Sequence, residues 1–246
     1  MIMSAASEPI PISASDPALR VAETPPNTHL LASLGRLVRG LSALFWGLPL
    51  TLVLCVQTAR WEWLRPLGIV PCAVATGLLL YGLWLLGSFQ RQERVWNAAL
   101  DRARVFAFVN LGFSPFLYWW NRIPSNDFFG SIVELMALSG LMFLIMLNSV
   151  LRRLTAMLPD ETLRLETRLF TNLNRGLLWL TLAVALSYFI LARIEYLPPF
   201  AIGLLTLLQQ AGLWVMLVLI LLPVAMTMAL IWKIKEVILA SVFGSE

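Results

Sequence analysis

Residues 40–59 carry no charged side chain, and the same holds for 66–90, 105–121 and 176–192. A fourth stretch in chain order, 128–151, holds a single charge, Glu134, and a final apolar run extends from Tyr196 to Trp232. An α-helix crossing the hydrocarbon of a bilayer needs about 20 apolar residues at about 1.5 Å each. A water-soluble fold would need polar cover for so much apolar chain. Charged residues make up only 13% of this one, against about 25% in a typical soluble domain. The expected fold is therefore all-α and integral to a membrane, with about six spans at 40–59, 66–90, 105–121, 128–151, 176–192 and 199–222, the last with an extension to 243.

The last run is longer than one straight crossing needs, and two readings stand. A span begins near Pro199 and continues past Pro223, or residues 199–208 lie at the interface and the crossing begins at Ala211. The spacing of glycines described below favours the first. The third run contains Gly112-Phe113-Ser114-Pro115 and is expected to kink there.

Residues 1–28 are rich in Ser, Pro, Ala and Thr and end in Thr24-Pro25-Pro26-Asn27. They bury too little apolar surface to offset their chain entropy. Residues 1–35 are thus expected to form a disordered cytoplasmic tail, with 36–246 as the membrane domain. No cleavable secretory signal is expected, since no short apolar core follows an N-terminal positive charge.

Positive residues are retained on the cytoplasmic side of short loops. With six spans, one side collects the tail, 91–104, 152–175 and the C-terminus, and holds fourteen of the eighteen Lys and Arg. The other keeps Arg60, Arg65, Arg122 and Arg193, beside Trp61, Trp63, Trp119, Trp120 and Tyr196, which suit an interfacial aromatic belt. The expected location is the cell (inner) membrane, multi-pass, with both termini cytoplasmic.

Two outer turns match each other: A-R-W-E-W-L-R-P at 59–66 and A-R-I-E-Y-L-P-P at 192–199. After each outer turn comes a small residue followed by glycine and leucine, at Thr76-Gly77-Leu78, Ser139-Gly140-Leu141 and Ala211-Gly212-Leu213. The glycines lie 17, 18 and 19 residues beyond Arg60, Arg122 and Arg193. This pattern suggests three tandem helical hairpins in one orientation; the alternative is chance similarity among Leu-rich helices. If the hairpins are equivalent, Gly77, Gly140 and Gly212 should share a depth and face the interior.

The only histidine, His29, lies in the tail, which removes the commonest general base and metal ligand from the membrane region. Cys55 and Cys72 have no metal spacing; they flank the first outer turn at similar depth and could touch, packing as small apolar residues. No phosphate loop, nucleophile elbow or zinc signature occurs. Catalytic residues, metals and cofactors are therefore not expected.

Glu134 is the candidate functional residue. A charged carboxylate in hydrocarbon costs a few kcal/mol and usually serves a purpose. Gly130, Glu134, Ala137, Leu141, Leu144 and Asn148 recur at helical spacing on one face. Glu134 is either a proton or cation site, or a structural group paired with Arg122 or Arg193. Asn110, Asn148, Gln209 and Gln210 are its candidate polar neighbours.

Segments 91–104 and 152–175 are also expected to be helical. Leu165, Leu169 and Leu173 form a stripe continuing into the fifth span, and Trp96, Leu100 and Ala103 line up similarly. These segments could dock a protein partner, meet a second copy or lie on anionic lipid, or simply end the membrane helices. Nucleic acid is not an expected partner, because no basic polar segment with interleaved aromatics is present. The leading functional expectation is a non-enzymatic accessory subunit or scaffold of a membrane complex. The first alternative is a small-solute or ion transporter or channel using Glu134. The second is a membrane enzyme with arginine-bound lipid or phosphate substrates.

Overall fold

The computed structural model describes residues 27–60, 66–89, 93–157, 161–191, 193 and 199–243; within these, the side chains of 27–31, 60, 161–167, 241–243 and most of 199–216 lie outside the description. Among the described residues six helices follow one another: α1 (Asn27–Arg60), α2 (Val70–Leu86), α3 (Arg94–Arg122), α4 (Asp127–Ala156), α5 (Glu161–Leu191) and α6 (Pro199–Phe243). The protein is an all-α, multi-pass membrane bundle. Four segments are long and apolar enough to cross a bilayer: Ala32–Ala59, Asp127–Ala156, Arg168–Leu191 and Leu217–Ala240. In each, only 28–33% of the apolar window is buried within the protein. Large apolar side chains such as Trp46, Trp84 and Phe108 point outward at 67–70% exposure. Apolar groups on the outside as well as the inside suit a lipid solvent.

Local sequence explains where the helices start. Asn126 caps α4, its side chain accepting from the Phe128 N–H at 3.0 Å, and Asp127 in the first turn complements the helix dipole. Gly68 takes a φ of 59°, a left-handed conformation that favours glycine. Pro71 then stands within the first two positions of α2, where its missing N–H costs nothing.

Prolines inside helices leave carbonyls without their usual donor. At Pro115 in α3 the orphaned Leu111 carbonyl accepts from the Ser114 hydroxyl at 2.8 Å. At Pro223 in α6 the orphaned Leu219 carbonyl lies 3.1 Å from the Thr181 hydroxyl of α5, whose one proton is shared with the Leu177 carbonyl at 2.8 Å. At Pro115 and Pro223, two of the three prolines inside the described helices (Pro49 in α1 is the third), the freed carbonyl thus meets a neighbouring hydroxyl, as membrane helices require.

Packing is most extensive between α1 and α2 and between α3 and α4, while α1 also touches α3 and α6. Gly40 and Gly82 let α1 and α2 approach: a Cβ on Gly40 would sit 2.9 Å from the Gly82 carbonyl oxygen, and one on Gly82 3.1 Å from that of Gly40. The main core collects Leu37, Leu41 and Leu44 with Leu83, Trp96, Leu147, Leu151, Leu178 and Ile231. Successive helices are antiparallel, so these positions all fall toward one end, the end rich in arginine. A much smaller cluster of Cys72, Leu117 and Met136, with Cys55 and Phe113 against it, lies toward the other.

Some boundaries follow the sequence reading and others differ from it. Residues 27–35, expected in the tail, form the first turns of α1. Within 91–104, the residues from Arg94 onward are the first turns of α3, the reading in which the segment ends a membrane helix. The segment that carries Leu165, Leu169 and Leu173 is, as expected, continuous with the fifth span in the helix Glu161–Leu191. The last run is one helix through Pro223. The second expected span, 66–90, is a helix of only 17 residues. Gly77, expected to face the interior, faces open space, whereas Gly140 has the Asn110 Oδ1 3.8 Å from its would-be Cβ; Gly212 lies outside the described side chains.

Candidate functional site

Polar side chains of the apolar segments gather at three levels along the bundle. At the arginine-poor end Glu134 pairs with Arg193: guanidinium Nη2 and carboxylate Oε2 are 2.9 Å apart. The same nitrogen donates to the Ser131 hydroxyl at 2.9 Å. The pair joins α4 to the turn after α5. Neither side chain is buried, the arginine being 62% exposed and the carboxylate 36%. Arg122, the other proposed partner, instead reaches the Tyr118 hydroxyl at 3.1 Å, one turn back on its own helix.

At mid-depth the buried Asn110 of α3 faces Ser139 of α4. Its amide nitrogen donates to the Phe106 carbonyl at 2.9 Å, and its Oδ1 lies 2.8 Å from the Ser139 hydroxyl. That hydroxyl is also 2.9 Å from the Met136 carbonyl. An asparagine in the middle of an apolar helix is thereby satisfied by one bond along its helix and one across to the next.

The densest network lies toward the arginine-rich end, where Asn148 of α4, Asn174 of α5 and Thr227 of α6 are each no more than 2% exposed. Asn148 Nδ2 donates to the Leu144 carbonyl at 2.9 Å and to Thr227 Oγ1 at 3.0 Å. Asn174 Nδ2 donates to Asn148 Oδ1 and to Thr227 Oγ1, both at 3.0 Å, with the Pro223 carbonyl at 3.4 Å. The Thr227 hydroxyl gives its one proton to the Pro223 carbonyl at 2.7 Å. The donor count closes: two amide protons from each asparagine, and two lone pairs and one proton at the hydroxyl. Asn174 Oδ1 and Thr171 Oγ1 are buried without a hydrogen-bond partner.

Thus Glu134 and Asn148 share α4 but not a site. Fourteen residues at about 1.5 Å place them roughly 21 Å apart along the axis. The face proposed to unite them is not uniformly inward, because Ala137 is exposed while Leu144 and Asn148 are buried. Gln209 and Gln210 lie outside the described side chains, as does His29. Sequence reasoning missed Asn174, Thr227, Ser131 and Ser139. Asn174 was hidden by its assignment to a cytoplasmic loop, although Thr227 four residues after Pro223 was a readable signal of a hydroxyl placed to serve a proline kink.

Cys55 and Cys72 do touch, with their Sγ atoms 2.9 Å apart, and both are free thiols. Leu117, Met136 and Phe113 surround them, an apolar setting that suits their packing role. Among the described residues no group of three His, Cys, Asp or Glu side chains is placed to hold a metal ion.

No family model, curated protein or solved structure matches this chain. Function is therefore argued from these contacts alone.

Proposed function

We propose that the chain is a non-enzymatic accessory subunit or scaffold of a complex in the cell's inner membrane, crossing it six times with both termini cytoplasmic. The observation that carries the reading is the apolar stripe on the first half of α5. Leu169 is 75% exposed and Leu173 63%, with Phe170 at 47% beside them. Arg168 and Arg175 bracket these residues, which places the stripe at the arginine-rich end of the bundle. Leaving apolar side chains bare between arginines, at the edge of the hydrocarbon, favours a protein partner that covers them. The internal polar groups support the same reading: Asn110, Asn148, Asn174 and Thr227 are engaged in tying helices together.

The transport reading depends on Glu134, and its exposed pairing with Arg193 favours a structural role. Extraction in mild detergent followed by mass spectrometry of the intact complex tests the proposal. A stoichiometric partner should be retained by the wild type and by Glu134→Gln and Glu134→Leu, and lost from Leu169→Glu/Leu173→Glu. The Glu134 changes should cost on the order of 1 kcal/mol or less, as for exposed ion pairs. Loss of a measured transport activity in Glu134→Gln, with folding and assembly intact, would overturn the scaffold reading.

A further inference from the structure

Between the last turn of α4 and the first half of α5 lies an open cavity of about 420 Å³, lined by Arg152, Arg153, Thr155, Ala156, Arg168 and Asn172. We propose that this cavity is a binding site for a phosphate group, and that the headgroup of an anionic phospholipid supplies it. The inference does not depend on the scaffold reading.

The charge argument comes first. Three arginines line one cavity whose described lining contains no carboxylate. The ion pairs of Arg104 with Asp101 and of Arg193 with Glu134 lie elsewhere and involve none of these arginines. The C-terminus of α4 opposes an anion with about half a negative charge, but three whole positive charges outweigh it. Arginine is also the apt residue, because its planar fork meets phosphate oxygens through paired N–H groups.

Preorganisation comes next. Arg153 donates a hydrogen bond to the Val95 carbonyl at the start of α3, which anchors its side chain before a ligand arrives. Thr155 is buried, its hydroxyl donating to the Arg152 carbonyl at 2.9 Å. This contact fixes the turn that carries both arginines. Arg168 and Asn172 are one turn apart on α5 and so present to the same side.

The level of the cavity favours lipid as the source. Arg168 opens the apolar window Arg168–Leu191, and Ala156 closes the window Asp127–Ala156. The cavity thus sits where hydrocarbon gives way to headgroups, the usual place for basic pockets that hold anionic lipid. Its volume falls within the range of about 300–1,000 Å³ seen for small-molecule sites.

The test uses the full chain, purified in a neutral detergent, with thermal unfolding followed while phosphatidylglycerol, phosphatidylcholine or inorganic phosphate is added at constant ionic strength. Phosphatidylglycerol should raise the unfolding temperature and phosphatidylcholine should not. Arg152→Gln/Arg168→Gln should weaken the response about tenfold for each arginine removed, the scale of one charge-assisted hydrogen bond. Arg152→Lys/Arg168→Lys should retain part of it. Should the double glutamine variant fail to fold, Arg168→Gln alone, at an exposed position, is compared by counting lipids retained in native mass spectrometry. An equal response to inorganic phosphate would keep the phosphate site but overturn lipid as its source. No response to either phosphate compound, or an undiminished one in the glutamine variants, would overturn the site itself.

Discussion

Asn174 is one side chain that bonds two other helices, and its removal strands more than itself. In Asn174→Leu the Asn148 Oδ1 and one lone pair of Thr227 lose their donors inside an apolar environment. A buried group left unpaired costs about 1–3 kcal/mol, but interhelical bonds in membranes average nearer about 0.6 kcal/mol because the separated helices find other partners. We therefore expect Asn174→Leu to destabilise by about 1–2 kcal/mol. Asn148→Ala and Thr227→Ala should each cost less when made on top of it than alone. A double-mutant cycle read by thermal unfolding checks this, and strict additivity would show that the three residues do not act as a unit. None of this was legible in the residue types alone. Asparagine in an apolar run announces a hydrogen bond but not its partner, and Asn174 stands beside Arg175, where a boundary between loop and span was the natural reading. The pairing of Glu134 with Arg193 was legible as one of two alternatives, because a carboxylate two turns into α4 meets the nearest unclaimed arginine of the outer turns.

At the level of elements, the helices themselves were written plainly in the charge-free runs, and their ends were not. Among the described residues α1 begins at Asn27, whereas composition alone put the boundary at 35. Nothing between Arg94 and Arg122 breaks a helix except Pro115, which α3 tolerates through Ser114. The glycine register misled for a geometric reason. Gly77 and Gly82 are five residues apart, and at about 100° per residue they point roughly 140° away from one another. Gly82 is the one turned to α1, with no place in the repeat. Gly82→Val should therefore separate α1 from α2, since its Cβ would meet the Leu44 side chain at 2.9 Å and the Gly40 carbonyl at 3.1 Å. Overpacking of this kind costs about 1–3 kcal/mol. Gly77→Val, with nothing within 4 Å of its Cβ, should leave the unfolding temperature within experimental error. Equal losses in the two variants would contradict the contact.

For the whole molecule, the alternation of arginine-rich and arginine-poor ends gives the strongest expectation. Reporter fusions after residues 35, 97, 165 and 240 should read cytoplasmic, and those near 62, 124 and 195 exported, following the fourteen-to-four distribution of positive residues. An exported signal at 165 would remove the six-crossing arrangement. In the proposed six-crossing arrangement the 17-residue α2 would be the span most exposed to failure, being roughly 26 Å long against a hydrocarbon thickness of about 30 Å. Its close packing against α1 and a few ångströms of local bilayer thinning accommodate that shortfall.

The lopsided core has a consequence for how the molecule comes apart. Among the described residues, nearly all fully buried leucines clasp the helices at the arginine-rich end, and in α1 and α4 the fully buried leucines fall in the half toward that end. In α1 and α4 loosening should then start in the half away from that clasp, as a peg opens at its tips while the spring holds. Amide exchange in lipid nanodiscs would register it as a gradient along single helices: in α4, residues near 133–136 should exchange well before 147–151, and in α1, 52–58 before 37–44. Uniform protection along α4 would mean that the bundle opens all at once.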